Sequence, residues 1–231
     1  MAIAFITGGN KGLGYETAKR LIAMGHKVYI GSRNAERGKV AADELGAELV
    51  SIDVTSDESV KEAARSLMNQ EDKLDILINN AGISGVFGKP ENITGPDMEK
   101  VFNTNVFGIV RVTNAFIPLL RKSNNPVIVN VSSGLGSFGM VTDITKDESK
   151  INSLTYSTAK AAVSMLTLQY AKGLPDIKVN CADPGATATD LNGGRGKQTV
   201  QEGTDAIVKL ATIGRDGPSG IFMNRQGIIP W

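Results

Sequence analysis

The chain has 231 residues, of which 41% are hydrophobic and 21% charged, with a formal net charge of +1. That length suits one domain with a substantial core, and the near-neutral charge gives no reason to expect a nucleic acid or an anionic membrane as partner. A lone cysteine, Cys181, excludes an internal disulfide and fits a reducing cytoplasm.

In chain order, seven short apolar runs predict buried strands: 2–7, 27–32, 47–52, 74–79, 126–132, 177–182 and 220–223. Their unbroken apolar character fits a parallel sheet covered on both faces. None approaches the ~20 apolar residues of a membrane-crossing helix. Segments 12–24, 35–45, 57–68, 96–122, 155–173 and 199–211 lie between them with apolar residues at helical spacing. The alternation predicts an α/β, doubly wound domain spanning 1–231, with about seven parallel strands and helices on both faces. No repeat or linker divides it. Two polar segments, 134–154 and 184–198, follow strand ends where open α/β sheets bind ligands, and are candidate site walls or ordinary surface loops.

The first strand runs into "ITGGNKGLG" at 6–14. Glycines let a backbone turn tightly beside a phosphate, and free N–H groups at a helix start favour anions. The residues of this turn, Gly8, Asn10, Lys11, Gly12, Leu13 and Gly14, are therefore candidate dinucleotide contacts; a tight turn without ligand is the alternative. The second strand ends with Ser32 and Arg33, where NAD-binding units carry an acid for the ribose hydroxyls. A carboxylate repels a 2′-phosphate, whereas the guanidinium of Arg33 pairs with it and Lys11 adds a second charge. NADPH is expected over NADH.

Tyr156 and Lys160 stand one helical turn apart, on one face. An ammonium favours a phenolate, so the pair is expected to lower the phenol's pKa and make Tyr156 an acid and base. Chance also produces such pairs on many helices. Ser132 and Ser133 end a buried strand, where a hydroxyl can bond a substrate carbonyl. "NNAG" at 79–82 suits close passage of a cofactor, and Asn105 lies mid-helix without a propensity reason. "DPGATAT" at 183–189 is placed to hold a nicotinamide carboxamide through Pro184, Gly185, Thr187 and Thr189.

Thr7-Gly8-x-x-x-Gly12-x-Gly14, Asp53-Val54, Asn79–Gly82, Asn105, Ser133, Tyr156-x-x-x-Lys160 and Pro184-Gly185 occur in this order. Together they resemble the short-chain dehydrogenase/reductase family, in its compact single-domain branch. "TGGNKGLG", "SRNAERG" and "GPSGIFMNRQGIIPW" are similar to its NADPH-dependent carbonyl reductases. The resemblance implies that Tyr156 protonates the carbonyl oxygen while Lys160 lowers its pKa and bonds the nicotinamide ribose. It also implies that Ser133, rather than Ser132, orients the carbonyl and that Asn105 holds a water of a proton relay. Asp53 and Val54 would contact adenine, and Asn80, Ala81 and Gly82 the adenosine ribose side. No metal is implied.

The implied substrate is a small aldehyde, ketone or quinone. A 3-oxoacyl-thioester reductase, a dedicated alcohol dehydrogenase and a catalytically silent NADP(H)-binding protein remain the alternatives. Ser133 and Tyr156 stand 23 positions apart, more than in many members, because of an insertion at 134–154. In monomeric carbonyl reductases a longer insertion covers a helical face that other members use to oligomerise. Monomer, dimer and tetramer all stay open.

Overall fold

A computed structural model describes residues 1–231. The first half comprises β1 (Ile3–Thr7), α1 (Gly12–Ala23), β2 (Lys27–Ser32), α2 (Ala35–Leu45), β3 (Glu48–Ser51), α3 (Asp57–Met68) and β4 (Ile76–Asn79). The second half comprises α4 (Gly95–Phe102), α5 (Gly108–Leu120), β5 (Val127–Val131), α6 (Phe138–Thr142) and α7 (Leu154–Gly173). It continues through β6 (Lys178–Ala182), α8 (Val200–Gly203), α9 (Asp205–Ala211), β7 (Phe222–Asn224) and β8 (Gly227–Ile228).

All strands join one sheet in the order β3-β2-β1-β4-β5-β6-β7-β8. The first seven pair in parallel, as the sequence predicts. β8 is an addition: a two-residue antiparallel strand folded back on β7, too short to leave a periodic signal.

Alternation of side chains across each strand builds two cores. In β1, Ala4 and Ile6 join a layer with α1, α2 and α9, while Ile3 and Phe5 face α3 and α5. Phe5 and Phe116 stack there with ring centroids 4.7 Å apart. A smaller cluster, Val101, Val106, Ile109, Ala159 and Val163, packs α4 and the start of α5 against α7. Side-chain caps start several helices: Asn34 on α2, Ser56 on α3 and a Thr94–Asp97 capping box on α4.

Two predicted helices are broken. The segment 96–122 contains a π turn, Asn103–Phe107, between α4 and α5. Segment 199–211 divides at Thr204, whose hydroxyl bonds Gln201 O at 2.8 Å. No helix is long and apolar enough to cross a membrane.

The chain builds β1, β2 and β3 outward, then returns to place β4 on the other side of β1. This reversal opens a crevice beyond the C-terminal ends of β1 and β4, which is where α/β sheets take their ligands.

Candidate active site

The glycine turn leaves β1 at this crevice. Gly8 and Gly12 have φ of 65° and 55°, a left-handed backbone that side chains disfavour. A Cβ on Gly14 would lie 2.4 Å from the carbonyl oxygen of Gly8, so α1 approaches the turn only because this residue is glycine. Lys11 precedes α1 with an extended backbone and no side-chain cap, leaving the first N–H groups of a twelve-residue helix for an anion. These features fit a dinucleotide pyrophosphate.

Asn80 supports this turn from the end of β4. Its amide donates to the carbonyls of Thr7 at 2.9 Å and Gly8 at 3.1 Å. Thr7 Oγ1 in turn accepts the N–H groups of Asn80 and Ala81, at 3.0 and 3.1 Å. The Asn80 amide nitrogen is thus committed to the turn, while its side-chain oxygen stays available as an acceptor. Gly82 sits beside Asn105, and Leu13 packs into the core.

At the end of β2, Ser32 is buried and donates to Asn34 O at 2.8 Å, shaping the start of α2. Arg33 is exposed on the rim. Burial acts to raise the Asp53 carboxyl, but bonds from Thr55 and the charges of Arg33 and Arg111 hold it below its ordinary value. Val54 is buried next to Thr7 and Ala81 around a small recess. The Lys11 ammonium pairs with Asp190 at 2.9 Å. The loop after β6 brings Asp190 there, with Thr189 Cγ2 3.8 Å from where a Gly12 Cβ would stand. Both charges are mostly exposed, and such pairs contribute about 0–1 kcal/mol, too little to hold Lys11 against a phosphate.

The candidate catalytic residues Ser133, Tyr156 and Lys160 lie where β5 and β6 end against α7. Ser132 points inward, donating to Lys160 O at 3.0 Å. Ser133 Oγ accepts Leu135 N–H at 3.2 Å, which leaves its hydroxyl hydrogen free for another acceptor. Gly136 lets α7 come close, since a Cβ there would be 2.4 Å from the Lys160 carbonyl carbon. Lys160 Nζ donates to Val131 O at 2.7 Å and lies 5.5 Å from the centre of the Tyr156 ring. Burial lowers the Lys160 ammonium to about 8, opposed by Cys181 and Asp183.

Tyr156 reverses the sequence expectation of a lowered pKa. Burial first, then the negative charge of Asp183, pushes the phenol above its ordinary value, against a smaller downward pull from the Ser133 hydroxyl. The phenol is neutral around pH 7.

Asn105 is anchored to the loop after β4. It is 1% exposed within the π turn, and its side chain accepts Ile83 N–H at 2.8 Å while donating to Ile83 O at 2.9 Å. That pairing uses one amide N–H and one lone pair of the side chain and braces the loop after β4.

The loop after β6 closes the remaining side. Gly185 has φ of 66°, and buried Thr187 donates to Pro184 O at 2.8 Å. Thr189 N–H donates to Asn192 Oδ1 at 3.2 Å. Lys197 reaches Asp147 of the insertion at 2.6 Å, and Lys150 joins it at 3.1 Å, pulling that carboxyl down to about 2. The insertion therefore lies along this loop. It is also held by Ser137 Oγ on Pro230 O at 2.7 Å and Gly139 N–H on Trp231 O at 2.9 Å.

Three site residues were not singled out from sequence. Asp183 and Asp190 are acids flanking the Pro-Gly loop, the former legible as a charge ending an apolar strand. Gln198 lies against Gly185, where a Cβ would be 2.3 Å from its Nε2, and its Oε1 is buried without a partner. Nothing in the local sequence signals that position.

The short chain dehydrogenase model matches residues 2–199. Short-chain dehydrogenase/reductase 1 of Saponaria officinalis is 33% identical, over 99% of this chain and 95% of its own. An NADPH-bound carbonyl reductase from chicken fatty liver superposes with a TM-score of 0.87 at 28% identity, covering 100% of both chains. A Brucella melitensis 3-ketoacyl-(acyl-carrier-protein) reductase complexed with NADH gives 0.85 at 25% identity, over 96% of each chain. With the glycine turn, the Tyr156–Lys160 pair and this span of matching sequence in hand, the chain belongs to the short-chain dehydrogenase/reductase family and is an oxidoreductase.

Proposed function

We propose that this oxidoreductase uses NADPH to reduce the carbonyl of a small aldehyde, ketone or quinone to an alcohol. The observation that carries the reading is a pair of hydrogen donors at one place. The Ser133 hydroxyl accepts Leu135 N–H and keeps its own hydrogen to donate, and the adjacent Tyr156 phenol is kept neutral by burial. Two such donors suit one acceptor, a carbonyl oxygen.

Ser133 orients and polarises that oxygen, and Tyr156 gives it a proton as the alkoxide develops. The Lys160 ammonium, 5.5 Å from the ring, offsets the charge left on the phenolate oxygen. NADPH, when bound, supplies the hydride. Gly8, Asn10, Gly12, Leu13 and Gly14 would cradle its pyrophosphate, Arg33 and Lys11 its 2′-phosphate, and Asp53 and Val54 its adenine. Ala81 and Gly82 line the path of the ribose. Thr187, Thr189 and the Pro184–Gly185 backbone would meet the carboxamide. The buried free thiol of Cys181 fits the reducing cytoplasm expected from the sequence.

The test follows NADPH and NADH oxidation with aldehydes, diketones, quinones and acetoacetyl thioesters. Turnover with simple carbonyls and a preference for NADPH is the expected result. Turnover confined to acetoacetyl thioesters would replace it with a 3-oxoacyl-thioester reductase. NADPH binding without turnover of any of them would make the chain a silent cofactor-binding protein.

A further inference from the structure

Gln198 ends the loop that follows β6, and its backbone is pinned there. Its N–H donates to Ala186 O at 3.1 Å and its C=O accepts Ala188 N–H at 2.9 Å, a parallel bridge across Thr187. Gly196 permits this approach, because a Cβ on it would lie 2.0 Å from Ala188 N. The Gln198 side chain turns back against Gly185, where a Cβ would lie 2.3 Å from its Nε2 and 3.8 Å from its Oε1. The amide thus stands at a built position beside the Pro184–Gly185 turn.

Gln198 Oε1 is buried and has no hydrogen-bond partner. A bare buried acceptor is destabilising, and an apolar side chain of similar length would avoid that penalty. The chain itself offers this oxygen no donor, which points to a donor from a bound molecule.

The hydrogen bonds of the turn say what kind of molecule fits. Pro184 O accepts Thr187 Oγ1–H at 2.8 Å, and Gly185 O accepts Thr187 N–H at 2.8 Å. Ala186 O accepts two N–H groups, those of Lys197 and Gln198, at 2.7 and 3.1 Å. Thr187 O accepts the Asn192 amide at 2.9 Å. Every carbonyl from Pro184 to Thr187 is therefore engaged within the loop. Ala186 is exposed, and its N–H bonds no backbone carbonyl. A free donor and a free acceptor on one turn match a primary amide, which has a C=O and an N–H2.

Resting on the NADPH reading above, we propose that Gln198 is a cofactor-binding residue whose side-chain oxygen accepts an N–H of the nicotinamide carboxamide. A half-turn about the last torsion of Gln198, which has a broad and roughly two-fold preference, exchanges the buried oxygen with the nitrogen beside Gly185. The two ends of the amide are alike in size, so the exchange needs no extra room. Holding the carboxamide fixes the direction of the ring that carries the hydride.

The experiment compares the full chain with its Gln198→Met and Gln198→Ala variants. Isothermal titration gives Kd for NADP+ and for its acetylpyridine analogue, in which a methyl replaces the carboxamide –NH2. Melting temperatures are recorded with and without each dinucleotide. In Gln198→Met the ratio of analogue Kd to NADP+ Kd is expected to fall by about threefold to tenfold, the worth of one neutral hydrogen bond. The weakening falls on NADP+, and its thermal shift shrinks while that of the analogue does not. Cofactor-free Gln198→Met is expected to melt no lower than the parent, because the bare acceptor is gone.

A residue that merely props Gly185 would weaken both dinucleotides alike. An unchanged ratio therefore overturns the proposal while leaving the NADPH reading intact. A parent protein that binds no NADP+ overturns both. If Gln198→Met does not fold, the same ratio in Gln198→Ala decides. Failure of both variants to fold assigns Gln198 to the structure of the loop and overturns the proposal.

Discussion

Asn105 and Ile83 pair like residues of neighbouring strands: the side-chain amide of one completes both hydrogen bonds of the other's backbone, at 2.8 and 2.9 Å. Asn105→Ala would leave an N–H and a C=O of Ile83 without partners, at a cost of about 1–3 kcal/mol each where water cannot replace them. The variant is expected to unfold at clearly lower denaturant concentration and to lose turnover through displacement of the loop after β4. Chemical denaturation alongside NADPH oxidation checks this. Unchanged stability would remove the bracing role.

Tyr156→Phe deletes the proposed proton donor and little else. General acid catalysis is worth about a hundredfold to ten-thousandfold. Turnover is expected to fall by that order, with NADPH affinity, read by fluorescence titration, within a few-fold of the parent. Near-normal turnover would sink the proton-donor assignment.

Arg33→Ala tests the 2′-phosphate contact. A hydrogen bond to a charged group contributes about 1.5–3 kcal/mol, or roughly tenfold to a hundredfold in Kd. NADPH binding is expected to weaken by that factor while NADH binding is nearly unchanged. Equal losses for the two cofactors would move the phosphate elsewhere.

Asp75 gives a stability dependence on pH that is independent of the reaction. Burial acts to raise its carboxyl, but Ser123, Lys73 at 2.9 Å and Ile3 N–H at 2.9 Å together hold it below the ordinary value. With a lowered folded pKa, this stabilisation is fully present above the ordinary carboxylate range and is lost as pH falls through the folded value. Asp75→Asn is expected to melt lower than the parent at pH 7, by about 1–3 kcal/mol in free energy, and the gap should narrow below about pH 4. A gap constant with pH would assign the loss to shape alone.

How much of this was legible in the sequence depends on the range of the interaction. The seven parallel strands were readable because burial on both faces makes them unbroken apolar runs, as in Val127–Val131. The glycine turn was readable because its φ values and close packing admit few other residues. The bracing role of Asn105 was hidden because Ile83 lies 22 residues away and a π turn carries no composition signal. Lys11 finds Asp190 across 179 residues, a pairing that only the folded loop creates. The raised pKa of Tyr156 was missed because spacing reveals the neighbouring ammonium but not the depth of burial.

The π turn at Asn103–Phe107 also works as a gear between two packing surfaces. Val101 of α4 meshes with α7, whereas Val112, Phe116 and Leu119 of α5 mesh with the sheet. One surplus residue in the coil rotates everything beyond it by about 100°. Deleting a single residue here would give a more regular helix and point the α5 core face away from the sheet. A shorter, tidier helix would be the more damaging change.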